Sequence, residues 1–177
     1  MPAKRLEYST TAKAFHWVIV GLIEVQLPLG WLMPDIRRGT PPGSAMSLHI
    51  SIGITILVLI VLRFLWRFTH PVAPESYLPT WQRVSSEAVH WLLYLVVLLT
   101  TLTGWFFEST RGWSISLYGA LPLPGLVEEG SPIGHAIGEQ HATLVWMLVT
   151  LLAIHILAAL VHLLVYKDRV MHRMLPG

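Results

Sequence analysis

Apolar residues along the chain fall into four long runs, which are separated by stretches rich in proline, glycine, serine and charge. The runs cover residues 14–33, 45–62, 88–107 and 142–166. Each is close to the roughly 20 residues that an α-helix needs to cross about 30 Å of hydrocarbon. The segments between the runs carry turn-forming residues, which are typical of connections. The pattern therefore predicts four transmembrane helices.

Composition supports a membrane protein. Hydrophobic residues make up 54% of the 177 residues and charged residues only 12%, so a soluble domain would lack polar groups to cover its surface. The first apolar run has no small-residue cleavage site after it and contains His16 and Glu24, so we expect it to stay as a helix. No second domain or repeat is indicated. The expected fold is all-α, a single up-down bundle of four transmembrane helices over residues 1–177.

Basic residues predict the orientation of the bundle. With both termini in the cytoplasm, nine Lys and Arg residues flank the helices on the inner side and three on the outer side. The pI near 9.2 then reflects the inner membrane surface and gives no reason to expect nucleic acid. The inner residues are Lys4, Arg5, Lys13, Arg63, Arg67, Arg83, Lys167, Arg169 and Arg173; the outer ones are Arg37, Arg38 and Arg111.

The fourth run contains three histidines, His141, His155 and His162, at intervals of 14 and 7 residues. These intervals are close to four and two helical turns, so the three side chains share one stripe. His141 and His155 are separated by roughly 21 Å along the axis, which places one imidazole in each half of the membrane. His16 near the inner start of helix 1 and His49 near the outer start of helix 2 lie at matching depths.

Facing imidazoles at two levels of a four-helix bundle predict two bis-histidine haem sites, one above the other. The absence of cysteine excludes disulfides, thiolate-bound metals and covalently attached c-type haem. Depth alone does not decide whether His155 or His162 faces His16. Glycines within the helices, Gly21, Gly53 and Gly104, are expected either to leave room for a flat macrocycle or to allow close helix packing.

Other polar residues in the helices have more than one interpretation. His90 is a second inner histidine, which could bind a haem propionate, relay protons, replace His155 as a ligand or form a structural hydrogen bond. Glu24 lies between the two levels and should face the bundle interior or water, because its exposure to lipid is unfavourable. His70, His135 and His172 are expected in loops or the tail. Arg63 and Arg67 fit propionate or quinone contacts and positive-inside anchoring equally well.

The sequence resembles the bacterial cytochrome b561 family, the small four-helix di-haem b cytochromes of the inner membrane. The resemblance is carried by FHW in helix 1, LHISIGI in helix 2, VHWLLY in helix 3 and the three spaced histidines of helix 4. It implies His16 with His155 as axial ligands of the inner haem b, and His49 with His141 for the outer haem b. It also implies that His162 helps to line an inner quinone site.

The expected function is transmembrane electron transfer through two stacked b-type haems, between a periplasmic redox partner and the ubiquinone pool. Some members of the family oxidise superoxide at the outer face, which makes a superoxide:quinone oxidoreductase the leading specific form. Against it, the outer segments hold three Arg and five acidic residues, which leaves only a local Arg37/Arg38 patch to attract an anion. The alternatives are a cytochrome b subunit of a larger oxidoreductase, docking at residues 108–139, and a histidine-lined carrier of divalent metal.

Overall fold

The computed structural model describes residues 7–34, 40–73 and 78–175. Within them lie four helices long and apolar enough to cross a membrane. This confirms the predicted all-α, four-helix membrane fold. The helices are α1 (Thr10–Leu32), α2 (Ser44–Thr69), α3 (Thr80–Ser109) and α4 (Pro132–Val161), and a π-helical turn (His162–Tyr166) continues α4.

The helices are longer than the apolar runs that predicted them. α4 begins ten residues before the fourth run, because the Ser131 side chain caps the helix by accepting a hydrogen bond from the Gly134 N–H at 3.3 Å. Pro132 then occupies the first turn, where its missing N–H costs nothing. His135, expected in a loop, therefore lies on α4, where it pairs with Glu139 at 3.4 Å.

The core is apolar and formed mainly by α2, which buries 39% of its apolar span, whereas α4 buries 6%. Large apolar side chains instead cover the sides of the bundle, as expected for a lipid-facing surface. Neighbouring helices pack in the order α1, α2, α3, α4 around the bundle. The main core cluster consists of Ile19, Ile23, Ile52, Ile56, Ile60, Tyr94, Val96, Val97 and Leu148.

One end of the bundle is closed by hydrogen bonds among the start of α1, the end of α2 and the C-terminal tail. Arg63 donates to the Ala12 carbonyl at 2.8 Å, and Arg173 donates to the Ala73 carbonyl at 2.7 Å. The Trp17 indole N–H donates to the Met174 carbonyl at 2.8 Å. The tail thus folds back beneath α1 at the end that the basic residues predict to be cytoplasmic; the orientation itself stays a prediction.

The opposite end is covered by the connection between α3 and α4, which is more ordered than a simple linker. It forms a two-stranded antiparallel hairpin, β1 (Ser116–Leu117) and β2 (Leu121–Pro122). The Tyr118 N–H donates to the Ser51 hydroxyl at 2.9 Å, and the Tyr118 and Thr55 hydroxyls are hydrogen-bonded at 2.9 Å. The hairpin is therefore fastened to α2 two residues beyond His49.

Candidate functional site

Helices α1 and α4 are neighbours that meet through their side chains, without close approach of their backbones. Among the described residues, no Cα atom of α1 lies within 8 Å of a Cα atom of α4, but Trp31 of α1 stacks on Trp146 of α4 with ring centres 5.8 Å apart. We call this wider junction the α1–α4 seam. Histidine side chains extend into the space between α4 and the first two helices at two levels.

At the inner level, His16 of α1 faces His155 of α4. Their ring centres are 6.3 Å apart, and the ring planes make an angle of 73°. No ring contact joins His16 and His162 in the part of the chain that the structure describes; His162 instead bonds to Asp168. Of the two histidines that depth left open, His155 is the one that the fold brings to His16.

His90 of α3 adjoins the inner pair. Its ring centre lies 5.3 Å from that of His155, and its Nδ1 atom is 3.5 Å from the Ser86 hydroxyl. Two cations of α2, Arg63 and Arg67, lie close to this level. Arg67 stacks over the rings of Trp91 and Tyr94 at 4.9 and 5.7 Å, in cation–π geometry.

At the outer level, His49 of α2 faces His141 of α4 with the same separation. The ring centres are again 6.3 Å apart, and the planes make an angle of 82°. His141 Nδ1 donates a hydrogen bond to the Thr100 carbonyl at 2.8 Å, which fixes the tautomer and leaves Nε2 as the free nitrogen. His49 Nδ1 is buried and has no hydrogen-bond partner among the described residues.

Two helical glycines make room for the outer histidines. A Cβ atom on Gly104 would stand 3.1 Å from His141 Cε1, and one on Gly30 would stand 3.1 Å from His49 Cε1. The sequence indicates Gly104 as a position that leaves room for a macrocycle or for close helix packing. In the structure, the group for which Gly104 directly leaves room is the His141 imidazole. Gly30 was missed, because it lies at the end of an apolar run with no distinguishing pattern. Gly21 faces open space, and a Cβ on Gly53 would make ordinary contact with Gln26.

The remaining polar residues lie away from the two pairs. The Glu24 side chain is exposed on α1, so of the two positions expected for it, the bundle interior and water, the interior is excluded. Glu108, counted among the outer charges, is buried at the end of α3. The Arg37/Arg38 patch lies outside the described residues. The third outer cation, Arg111, lies between the rings of Phe107 and Trp113 at 4.8 and 5.0 Å.

The spacing of both pairs fits one metal ion between two imidazoles. An imidazole nitrogen binds a metal at roughly 2 Å and the ring centre lies about 1.1 Å further back, so two such rings stand about 6.2 Å apart. A bare divalent ion such as zinc needs about four ligands. Within residues 7–34, 40–73 and 78–175, no three His, Asp or Glu side chains form a metal-binding cluster. Pairs alone suit an iron whose other ligands come from a macrocycle.

A four-helix membrane bundle with facing histidines in its interior defines a b-type membrane cytochrome. The chain belongs to the prokaryotic cytochrome b561 family, whose model matches residues 7–177. Membership confirms the resemblance drawn from the sequence. The chain is therefore a multi-pass membrane protein that binds haem b and takes part in electron transfer.

Curated relatives match along nearly the whole chain. Cytochrome b561 homolog 2 of Escherichia coli is 30% identical over 172 residues, which cover 95% of this chain and 90% of the relative. The probable superoxide oxidase CybB of Yersinia pestis is 29% identical over 175 residues, or 96% of each chain. Cytochrome b562 of Cereibacter sphaeroides is 27% identical over 173 residues, which cover 95% of this chain and 94% of the relative.

Proposed function

We propose that the chain binds two b haems, one at each histidine level, and carries electrons between an outer redox partner and the quinone pool of the bacterial inner membrane. The axial ligands are His16 with His155 at the inner level and His49 with His141 at the outer level. The observation that carries the proposal is the repetition of one separation, 6.3 Å, at both levels.

Bound haem b supplies a reversible one-electron carrier. The paired histidines would limit its chemistry, because an iron held by two imidazoles would have no position left for oxygen. His141 is held in one tautomer by Thr100, so its orientation is fixed before the cofactor binds. The arrangement favours electron transfer over oxygen activation.

The apolar layer between the levels keeps water out of the interior. Ile23 of α1, Ile52 and Ile56 of α2, Val97 of α3 and Leu148 of α4 are buried there in one cluster. Such a layer lowers the local dielectric constant and strengthens the influence of nearby charges on each site. The two levels are therefore expected to have separate reduction potentials, tuned by different neighbours.

His162 is the proposed quinone-site residue. It lies seven residues beyond His155, which is roughly 10 Å further along α4 toward the inner side. The outer electron donor is either superoxide or a periplasmic redox protein. The name of the Yersinia pestis relative, probable superoxide oxidase, favours superoxide as the first donor to test.

A cytochrome b subunit of a larger oxidoreductase is the second candidate. It is favoured by the ordered outer hairpin, where Tyr118 and Leu121 are 56% and 58% exposed and offer an apolar docking surface. Mild-detergent purification distinguishes the two: a stoichiometric partner that copurifies and supplies electrons supports the subunit. The carrier of divalent metal has no comparable support, because no three His, Asp or Glu side chains among the described residues form a metal-binding cluster.

The test of the proposal is a reduced-minus-oxidised visible spectrum with haem content for the wild type, His155→Ala and His162→Ala. Two low-spin b haems in the wild type, with one lost in His155→Ala and both kept in His162→Ala, are expected. Loss of a haem in His162→Ala with retention in His155→Ala would reverse the inner ligand assignment. One haem in the wild type would contradict the two-haem proposal.

A further inference from the structure

The end of α4 brings His162 and Asp168 together by an irregular path. On a regular α-helix, residues six apart point in directions about 120° apart around the axis and do not share a face. Here the last turn is π-helical, and Lys167 adopts a left-handed conformation with φ 52° and ψ 38° that reverses the chain. The irregularity places the two side chains within hydrogen-bonding distance.

The hydrogen bond between His162 and Asp168 is short and partly buried, and its donor and acceptor atoms can both be assigned. His162 Nδ1 lies 2.6 Å from Asp168 Oδ2, and each side chain is 15% exposed. The other carboxylate oxygen, Oδ1, accepts a hydrogen bond from the Val170 N–H at 3.0 Å. Both oxygens of Asp168 are therefore engaged. Since a carboxylate accepts, Nδ1 donates, and Nε2 is the nitrogen left to exchange a proton.

The surroundings connect this pair to the inner histidine level. The segment that follows Asp168 crosses beneath α1, where the Met174 carbonyl accepts from the Trp17 indole next to His16. The same segment bonds to the connection between α2 and α3 through Arg173 and the Ala73 carbonyl. The tail thus holds Asp168 in place at the inner end of the bundle. The His162–Asp168 pair therefore lies at the end of the bundle that the basic residues predict to be cytoplasmic.

We propose that Asp168 is a positioning residue for proton transfer at the quinone site, where His162 Nε2 gives its proton to a quinone oxygen. The proposal rests on the quinone-linked function proposed above. Each quinone takes two electrons and two protons to become a quinol. The electrons come from two one-electron donors oxidised at the outer face, and the protons come from the inner aqueous side. Asp168 stabilises the protonated imidazole between the two transfers and holds Nε2 outward.

The test compares Asp168→Asn, Asp168→Glu and the wild type in steady-state reduction of a short-chain ubiquinone by purified protein that receives electrons continuously from a one-electron donor in excess. Asp168→Asn is expected to lower kcat by about 10- to 100-fold with little change in KM, because proton transfer is impaired and binding is not. Asp168→Glu, which keeps the carboxylate, is expected to recover part of kcat. A larger solvent deuterium isotope effect on Asp168→Asn accompanies the loss.

Glu7→Gln is the matched control. Glu7 is a carboxylate at the same end of the protein that pairs with Arg169 at 3.8 Å and bonds to neither member of the His162–Asp168 pair. It should leave kcat unchanged. A readout that does not depend on activity is hydrogen exchange at residues 168–174, which reports whether the tail stays docked in each variant.

The outcomes separate this inference from the proposed function. A wild type with two reduced haems that does not react with ubiquinone contradicts the quinone function itself. A reactive wild type with unchanged kcat in Asp168→Asn, or a rise in KM alone, overturns the positioning role. If Asp168→Asn undocks the tail, the His162→Gln variant provides the test instead. It should lower kcat to a similar level while keeping both haems. An unchanged kcat in His162→Gln overturns the proposal.

Discussion

The rings of His49 and His141 face each other at 6.3 Å with their planes at 82°, almost perpendicular. His16 and His155 repeat the separation with an angle of 73°. Two perpendicular imidazoles would leave the dxz and dyz orbitals of the iron nearly equal in energy, whereas parallel ones would split this pair. We therefore expect highly anisotropic low-spin EPR signals from both oxidised haems.

The same EPR spectra provide the check on this prediction. His16→Ala and His49→Ala should each remove one of the two signals, which assigns them to levels. Rhombic signals of the kind that parallel imidazoles give would mean that the rings turn when the cofactor binds. In that case, the hydrogen bond between His141 and Thr100 would not be what sets the ring orientation at the outer level.

Gly104→Ala should weaken the outer haem site and spare the inner one. The added Cβ would stand 3.1 Å from His141 Cε1, so the ring must shift by a few tenths of an ångström. Overpacking of this kind costs about 1–3 kcal/mol. The measurement is haem content after a detergent wash, with the potential of each haem from a redox titration.

Gly21→Ala is the control for that substitution. Nothing lies within 4 Å of a Cβ at Gly21, so the change should leave both haems in place and gain about 1 kcal/mol of helix propensity. If Gly21→Ala lowered haem content as much as Gly104→Ala, the loss would come from glycine replacement in general. The contact with His141 would then be irrelevant.

Glu24→Leu should leave haem content unchanged and make the protein more resistant to heating. The Glu24 side chain is exposed near the middle of a membrane-spanning helix, and a central charged residue costs about 2.5–3.5 kcal/mol for insertion. Leucine removes that cost. Thermal loss of haem absorbance in wild type, Glu24→Leu and Glu24→Gln measures the effect. Slower electron transfer in both variants would assign the carboxylate a role that its exposure does not suggest.

Reporter fusions test the orientation. An alkaline phosphatase domain should be active when fused after Thr40 and inactive when fused to the C-terminus, while a green fluorescent protein should behave in the opposite way. The reason is the excess of nine basic residues over three on the inner flanks. Activity at the C-terminus would invert the bundle and move His162 to the periplasmic side.

Sequence reasoning was sufficient for the helices and for the depth of each histidine, because both follow from regular helical rise. It could not choose between His155 and His162 as the partner of His16. That choice depends on where α4 lies beside α1, and therefore on packing. Sequence reasoning also could not predict the structure at the end of α4, because the contact between His162 and Asp168 requires a π-helical turn and a left-handed Lys167.

The position of Glu24 depends on packing as well. A general rule about charges in lipid left the bundle interior and water as alternatives, and the interior face of α1 is occupied by Ile19 and Ile23. The ordered hairpin beside α2 was missed as well, because its Pro- and Gly-rich sequence is typical of a loop. The hairpin is held in place by hydrogen bonds between Tyr118 and the side chains of Ser51 and Thr55. Such contacts leave no periodic pattern in the sequence.

The α1–α4 seam has a consequence for how the protein is made. Because α1 and α4 meet through side chains alone, a haem held between His16 of α1 and His155 of α4 would add to the contacts that join these two helices. A ligand that binds only the folded state stabilises it in proportion to the logarithm of its concentration. In a cell short of haem, the folded protein would lack this stabilisation and would be degraded more readily. We expect the abundance of this cytochrome, as well as its activity, to follow the haem supply of the cell.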